Sequence, residues 1–164
     1  MVGDARFEDA PLASDRPLRL RAETADDLSV LSTLLQDAVG RAGDLKWLPK
    51  KRRLVVLVNR FRWEDHEDAE RMRRPFERVR SALSVENVLR VRARGIEPGD
   101  PEVIVSILSI SFETGEDGSG TLALNLAGDG EITAQVECLD ASLADLTKPW
   151  TAQAAQAPAH NPPD

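Results

Sequence analysis

Two stretches constrain the fold of this chain more than any other feature: LVVLVNRFRW, Leu54 to Trp63, and EVIVSILSISFE, Glu102 to Glu113. In the first, Leu54, Val56 and Val58 alternate with Val55 and Leu57, so both faces are apolar. A strand of that kind needs cover on both sides. At its end Phe61 and Trp63 keep one face apolar, while Arg60 and Arg62 take the other and are read as pointing outward. In the second stretch Val103, Val105 and Ile107 oppose Ile104, Leu108, Ile110 and Phe112, which predicts a central strand. Neither run is long enough to span a bilayer as a helix.

The remaining segments are shorter versions of the same pattern. PLRLRA (17–22) alternates leucine with arginine and reads as a half-buried strand. Thr24 with Asp27 resembles a capping box, and Leu28, Leu31, Leu34 and Leu35 share one helical stripe, which predicts a helix over 25–35. Short strands are expected near 37–41 and 45–48, with GRAGD turning between them. The charged EDHEDAERMRRP reads as a solvated loop with room for a helical turn, ended by Pro75. FERVRSALSVENVLRVRARGI is extended, with Asn87 as a bulge or turn. Its second half is expected to place Leu89, Val91 and Ala93 inward and Arg90, Arg92 and Arg94 outward. TLALNL and EITAQVECL pair as a hairpin across AGDG, with Cys138 on the apolar face beside Ile132, Ala134 and Val136. Asp140 is expected to cap a short helix over ASLADL, and Trp150 to fold back on the core. LRLRA (18–22) and LRVRA (89–93) look alike, but their flanks differ and five residues do not make a repeat.

Eight or nine strands, two helices and connections too short for parallel crossovers give an α+β fold. The expected sheet is strongly bent and mostly antiparallel, a partly closed barrel of the pleckstrin-homology kind by analogy of element order. Residues 1–16 read as a flexible arm, 17–150 as one domain and 151–164, rich in Ala, Gln and Pro, as a disordered tail. The N-terminal segment has acids and no apolar core, so it is not expected to act as a secretory signal. The single cysteine allows no internal disulfide, which points to a cytoplasmic setting.

Charge is unevenly spread in a chain of net −7. Residues 1–45 are net −4, residues 46–94 net +8 and residues 95–164 net −11. A basic centre in an acidic chain either grips something anionic or neutralises the chain's own acids. Successive outward positions on a strand lie ~7 Å apart, so Arg90, Arg92 and Arg94 form a comb. If their strand pairs with the one ending in Arg60 and Arg62, five arginines share one surface suited to phosphate or carboxylate. The competing reading is that they pair with the chain's own Glu113, Glu131 and Glu137.

The vocabulary of common chemistry is missing. No glycine-rich phosphate loop occurs. His66 and His160 have no second ligand at metal spacing, so neither a metal site nor a cofactor is expected. Cys138 reads as a small buried hydrophobe rather than a nucleophile. Asp37 and Asp44 flank a tight turn and could converge as an acid pair, but turn-forming roles suit both.

The segments LQDAVGRAGDLKWLPKKRRLVVLVNRFRWE, VLRVRARGI and VECLDASLADLTKPW together resemble a family of small bacterial proteins catalogued only as a domain of unknown function. The resemblance spans roughly residues 17–150, leaving both tails outside. It implies a stand-alone cytoplasmic domain and carries over no activity, cofactor or site residue.

The functional expectation is therefore a non-enzymatic binding or scaffold domain. Its ligand-binding residues would be Arg60, Arg62, Arg90, Arg92 and Arg94, docking an acidic protein partner or a second copy of the chain. RNA or single-stranded nucleic acid through the same arginines is the alternative. It is weakened by the net negative charge and by the lack of aromatics beside them. An enzyme with a carboxylate site at Asp37 and Asp44 ranks last, and no membrane role is expected.

Overall fold

Apolar alternation dominates the architecture. The computed structural model describes residues 16–73, 75–96 and 99–151. Eleven strands form one sheet, and every recorded pairing is antiparallel. They are β1 (Arg19–Ala22), β2 (Val39–Arg41), β3 (Leu45–Leu48), β4 (Arg53–Phe61), β5 (Glu77–Val85), β6 (Val88–Arg94), β7 (Ile104–Thr114), β8 (Gly120–Leu126), β9 (Gly130–Val136), β10 (Ala141–Asp145) and β11 (Trp150–Thr151). The pairing path runs β1-β10-β5-β4-β2-β7-β8-β9-β6, with β3 added to β4 and β11 to β5. The path is open, and its two ends are β1 and β6. The stretches LRLRA and LRVRA are thus the two terminal strands of the sheet.

Helix α1 (Ala25–Leu34) starts where expected, with the Thr24 hydroxyl accepting from the Asp27 amide at 3.1 Å. Its buried residues Leu28, Leu31 and Leu34 join the inner residues of the strands in one core that runs from Ala22 to Leu143. Helix α2 (His66–Arg71) follows a single 3-10 turn at Trp63–Asp65, so the charged loop does hold a helical turn. Among the described residues no helix is long and apolar enough to cross a membrane. The predicted N-terminal arm and C-terminal tail lie outside the described residues, except Arg16 and Thr151.

Four local expectations need correction. ASLAD is strand β10, not a helix. Ala141 and Leu143 are fully buried on one face, and the strand fills the gap between β1 and β5. Asp140 does not cap a helix: Arg21 Nε and Nη2 donate to its two oxygens at 3.0 and 2.9 Å. Strand β7 is not covered on both faces. A register shift between Ile107 and Ser109 flips the alternation, so Val105, Ile107 and Ile110 are buried while Ile104 and Leu108 are exposed. Cys138 is exposed. Strand β9 ends at Val136 and the chain bends, so the alternation does not carry to position 138. Trp150 lies in β11 opposite Arg78 and is 39% exposed, not folded onto the core.

Asn87 has φ 60 and separates β5 from β6. Asparagine tolerates this left-handed geometry, and the turn lets one continuous segment leave the β10–β5–β4 side and join β9 on the other. Residues 76–94 are therefore two strands.

Candidate functional site

The five arginines fall into two unrelated places, because β4 and β6 do not pair. Arg60 and Arg62 are not outward, which corrects the expected common surface. Arg60 has the same parity as Leu54, Val56 and Val58, so it continues the core face, and it is 0% exposed. Its guanidinium crosses Ser81 on β5 to reach Asp145 on β10. The Nη2–Oδ1 ion pair is 3.1 Å, and the Asp145 side chain is 4% exposed. Nη1 and Nη2 also donate to the two oxygens of Glu64 at 2.8 Å each. Nη1 further donates to the Phe61 carbonyl at 3.1 Å, and Nε to Ser81 Oγ at 3.2 Å. Ser81 Oγ in turn donates to Asp145 Oδ1 at 2.7 Å, and the Leu18 amide donates to Asp145 Oδ2 at 2.9 Å.

Arg62, also buried, pairs with Glu77 and approaches Asp65 and Glu64 at 3.8 Å each. Burial works against the charge on Glu64, yet the hydrogen bonds and charge of Arg60, with help from Arg62, hold its carboxyl below the usual range. Burial likewise opposes the charge of Arg60, and Glu64 and Asp145 outweigh it and raise its pKa. An opening of about 330 Å³ lined by Arg16, Leu18, Arg62, Glu64 and Asp65, among others, lies beside this network. Of its lining groups, Arg62 and Glu64 are already engaged within the network. Among the described residues no group of three or more acids, histidines or cysteines could hold a metal.

Arg90, Arg92 and Arg94 are exposed on β6 as expected, but of the residues expected inward only Val91 is half-buried, while Leu89, at the register shift, and Ala93 are exposed. Register sets Arg90 beside Gln135, Arg92 beside Thr133 and Arg94 beside Glu131. Beyond them on β8 lie Thr121, Ala123 and Asn125. Arg94 donates to Glu131 at 2.7 Å, which raises the arginine's pKa through that bond and the charge behind it. Arg90 and Arg92 have no ion pair among the described residues. Arg90, Arg92, Thr121, Thr133 and Gln135 line a depression of about 330 Å³. A second, of about 410 Å³, shares Arg92 and Thr133 and is bounded by Arg94 and Glu131. Together they form a shallow polar trough along β6 and β9 without an aromatic side chain in it.

The two aspartates take separate partners. Arg80 Nη2 approaches Asp44 at 3.4 Å. Asp37 sits at φ 66 just past α1. Its nearest influence is on Arg78, whose pKa is lowered by burial and partly restored by that carboxylate. Arg78 lies 5.0 Å over the Phe61 ring. Nothing here joins Asp37 and Asp44 into an acid pair.

Sequence reasoning missed Asp145, Ser81, Glu64 and Glu77 as partners of the buried arginines. The parity of Arg60 with Leu54 was the available signal. It also missed Thr121, Thr133 and Gln135, which only the strand register brings beside the comb.

The family described as "Protein of unknown function (DUF2948)" matches residues 18–160, which runs past Trp150 into the segment read as a tail. No curated protein matches, and no solved structure matches.

Proposed function

For this chain, which belongs to the DUF2948 family, we propose a binding role in which the outer trough of β6 and β9 docks an acidic protein partner through Arg90 and Arg92. The observation that carries it is the contrast between the two arginine groups. Arg60 and Arg62 are consumed inside the protein, whereas Arg90 and Arg92 are exposed and without an ion pair among the described residues. Guanidinium groups held on a strand, with threonine and glutamine beside them, suit carboxylates by geometry as well as charge. The single cysteine keeps a reduced, cytoplasmic setting as part of this proposal. The pleckstrin-homology analogy carries no weight in it, since fold likeness does not give function.

Nucleic acid ranks behind a protein partner. The trough offers no ring for a base to stack on, and the chain as a whole is acidic. The test is fluorescence anisotropy with a labelled glutamate-rich peptide and a labelled RNA, at low and physiological salt. The Arg90→Ala/Arg92→Ala variant is run alongside. Peptide binding lost in the variant supports the proposal. RNA binding in preference to peptide, or no binding of either at low salt, overturns it.

A further inference from the structure

The two ends of the sheet carry one pattern. Strand β1 presents Arg19 and Arg21, and β6 presents Arg90, Arg92 and Arg94. Pairing two copies edge to edge, as β1 with β1, β1 with β6 or β6 with β6, would lay arginine against arginine, and like charges opposite one another are unfavourable. Charged side chains on terminal strands are a common guard against such association. The same guard decides what can join.

The two edges are not equally available. Strand β1 is four residues long, and Arg21 is already held by Asp140 at 2.9 Å and by Glu23 at 3.2 Å. Strand β6 is seven residues long and has β9 as its one strand partner among the described residues; at its start the Val88 amide donates to the Arg52 carbonyl at 2.9 Å, so the open part of its outer edge begins at Leu89. Leu89, at its register shift, is 49% exposed. Arg90 and Arg92 are free of ion pairs among the described residues.

We propose that the outer edge of β6 beyond Val88 takes up an extended acidic segment of a partner protein as an additional strand, with carboxylates at alternate positions opposite Arg90 and Arg92. Residues two apart on the incoming strand have the same ~7 Å spacing as the arginines, so an acid at every second position meets the comb in register. The positions between them fall on the face of Val91 and Ala93 and would be apolar or small. Backbone hydrogen bonds supply affinity in this mode, and the side chains supply selectivity. The inference deepens the acidic-partner proposal and rests on it.

Two labelled ten-residue peptides separate the possibilities. One alternates Glu with Val. The other alternates Glu with Pro and keeps the charge, but its prolines have no amide to donate. Binding is read by anisotropy at low salt, and amide exchange is followed over residues 89–94. The expected result is at least tenfold tighter binding of the Glu–Val peptide, slowed exchange along β6, and loss of both in Arg90→Ala/Arg92→Ala. Circular dichroism of that variant should match the parent, because both side chains are exposed. Equal binding of the two peptides, lost in the variant, would overturn strand addition and leave the acidic-partner proposal standing. Binding of neither peptide, or binding untouched by the variant, would overturn both.

Discussion

Arg60 and Asp145, 85 residues apart in the chain, meet in an ion pair of 3.1 Å that is closed to solvent on both sides. The pair ties β4 to β10 across β5, and the hydroxyl of Ser81 sits between them as both acceptor and donor. Replacing Arg60 alone leaves the buried Asp145 carboxylate without its counter-charge, and replacing Asp145 alone leaves Arg60 with Glu64 as its remaining close carboxylate. Arg60→Met should destabilise the protein by about 3–5 kcal/mol, whereas Arg60→Met combined with Asp145→Leu should recover much of that loss. Urea denaturation of the parent, both single variants and the double variant measures the coupling. A double variant no better than the worse single one would sink the expectation.

Glu64 makes the same network sensitive to acid. Its folded pKa lies below its unfolded one. The stability it contributes is therefore fully present above the ordinary glutamate range and is lost as pH falls through the folded value. Glu64→Gln should be less stable than the parent at neutral pH. The gap should close as pH drops below the usual glutamate pKa, and thermal melts across that range would show whether it does.

The guarding of the edges can be inverted. Arg90→Glu/Arg92→Glu turns β6 into a complement for the arginines of β1 on a second copy. That variant should self-associate in a concentration- and salt-dependent way in sedimentation experiments, more than the parent does. Adding Arg19→Ala should weaken the association. Unchanged sedimentation of the glutamate variant would show that charge is not what keeps the edges apart.

Gly120 lies where β8 passes β7. A Cβ there would stand 2.5 Å from the Glu113 carbonyl oxygen and 2.5 Å from the Phe112 ring. The ring can rotate but the carbonyl is fixed in the ladder, so the backbone must yield. Gly120→Ala should cost about 1–3 kcal/mol in denaturant unfolding, in the range of overpacked sites.

Much of this molecule could be read from alternation alone. The long strand at β4, the hairpin of β8 and β9 and the outward comb of β6 follow from period two and from turn residues, whereas Asn87 read equally as a bulge in one bent strand or a turn between two. The failures share one physical cause, which is that alternation is a local rule. At β4 the rule itself was sound, since Arg60 follows Val58 by two positions; what misled was the assumption that a charged side chain must face water. Glu64 and the distant Asp145 together make its burial tolerable. At β7 one extra residue resets the parity, and no residue type announces it. ASLAD satisfies helix and strand patterns alike over so short a window, and the waiting edges of β1 and β5 decide between them. Cys138 lies beyond a strand end that period-two reading cannot detect. The separation of the five arginines into two groups depends on strand order, which the sequence does not spell out.

Strand β1 pairs with β10, and the amide of Leu18 reaches an oxygen of Asp145, 127 residues later. During synthesis the first strand therefore has to wait: the strand it pairs with, β10, does not exist until the chain has been made as far as Ala141–Asp145. Closing so long a loop before any contact rewards it makes folding slow. Chains interrupted before position 141 would leave both β1 and one edge of β5 without a neighbour, and those are the species that chaperones and proteases would meet first.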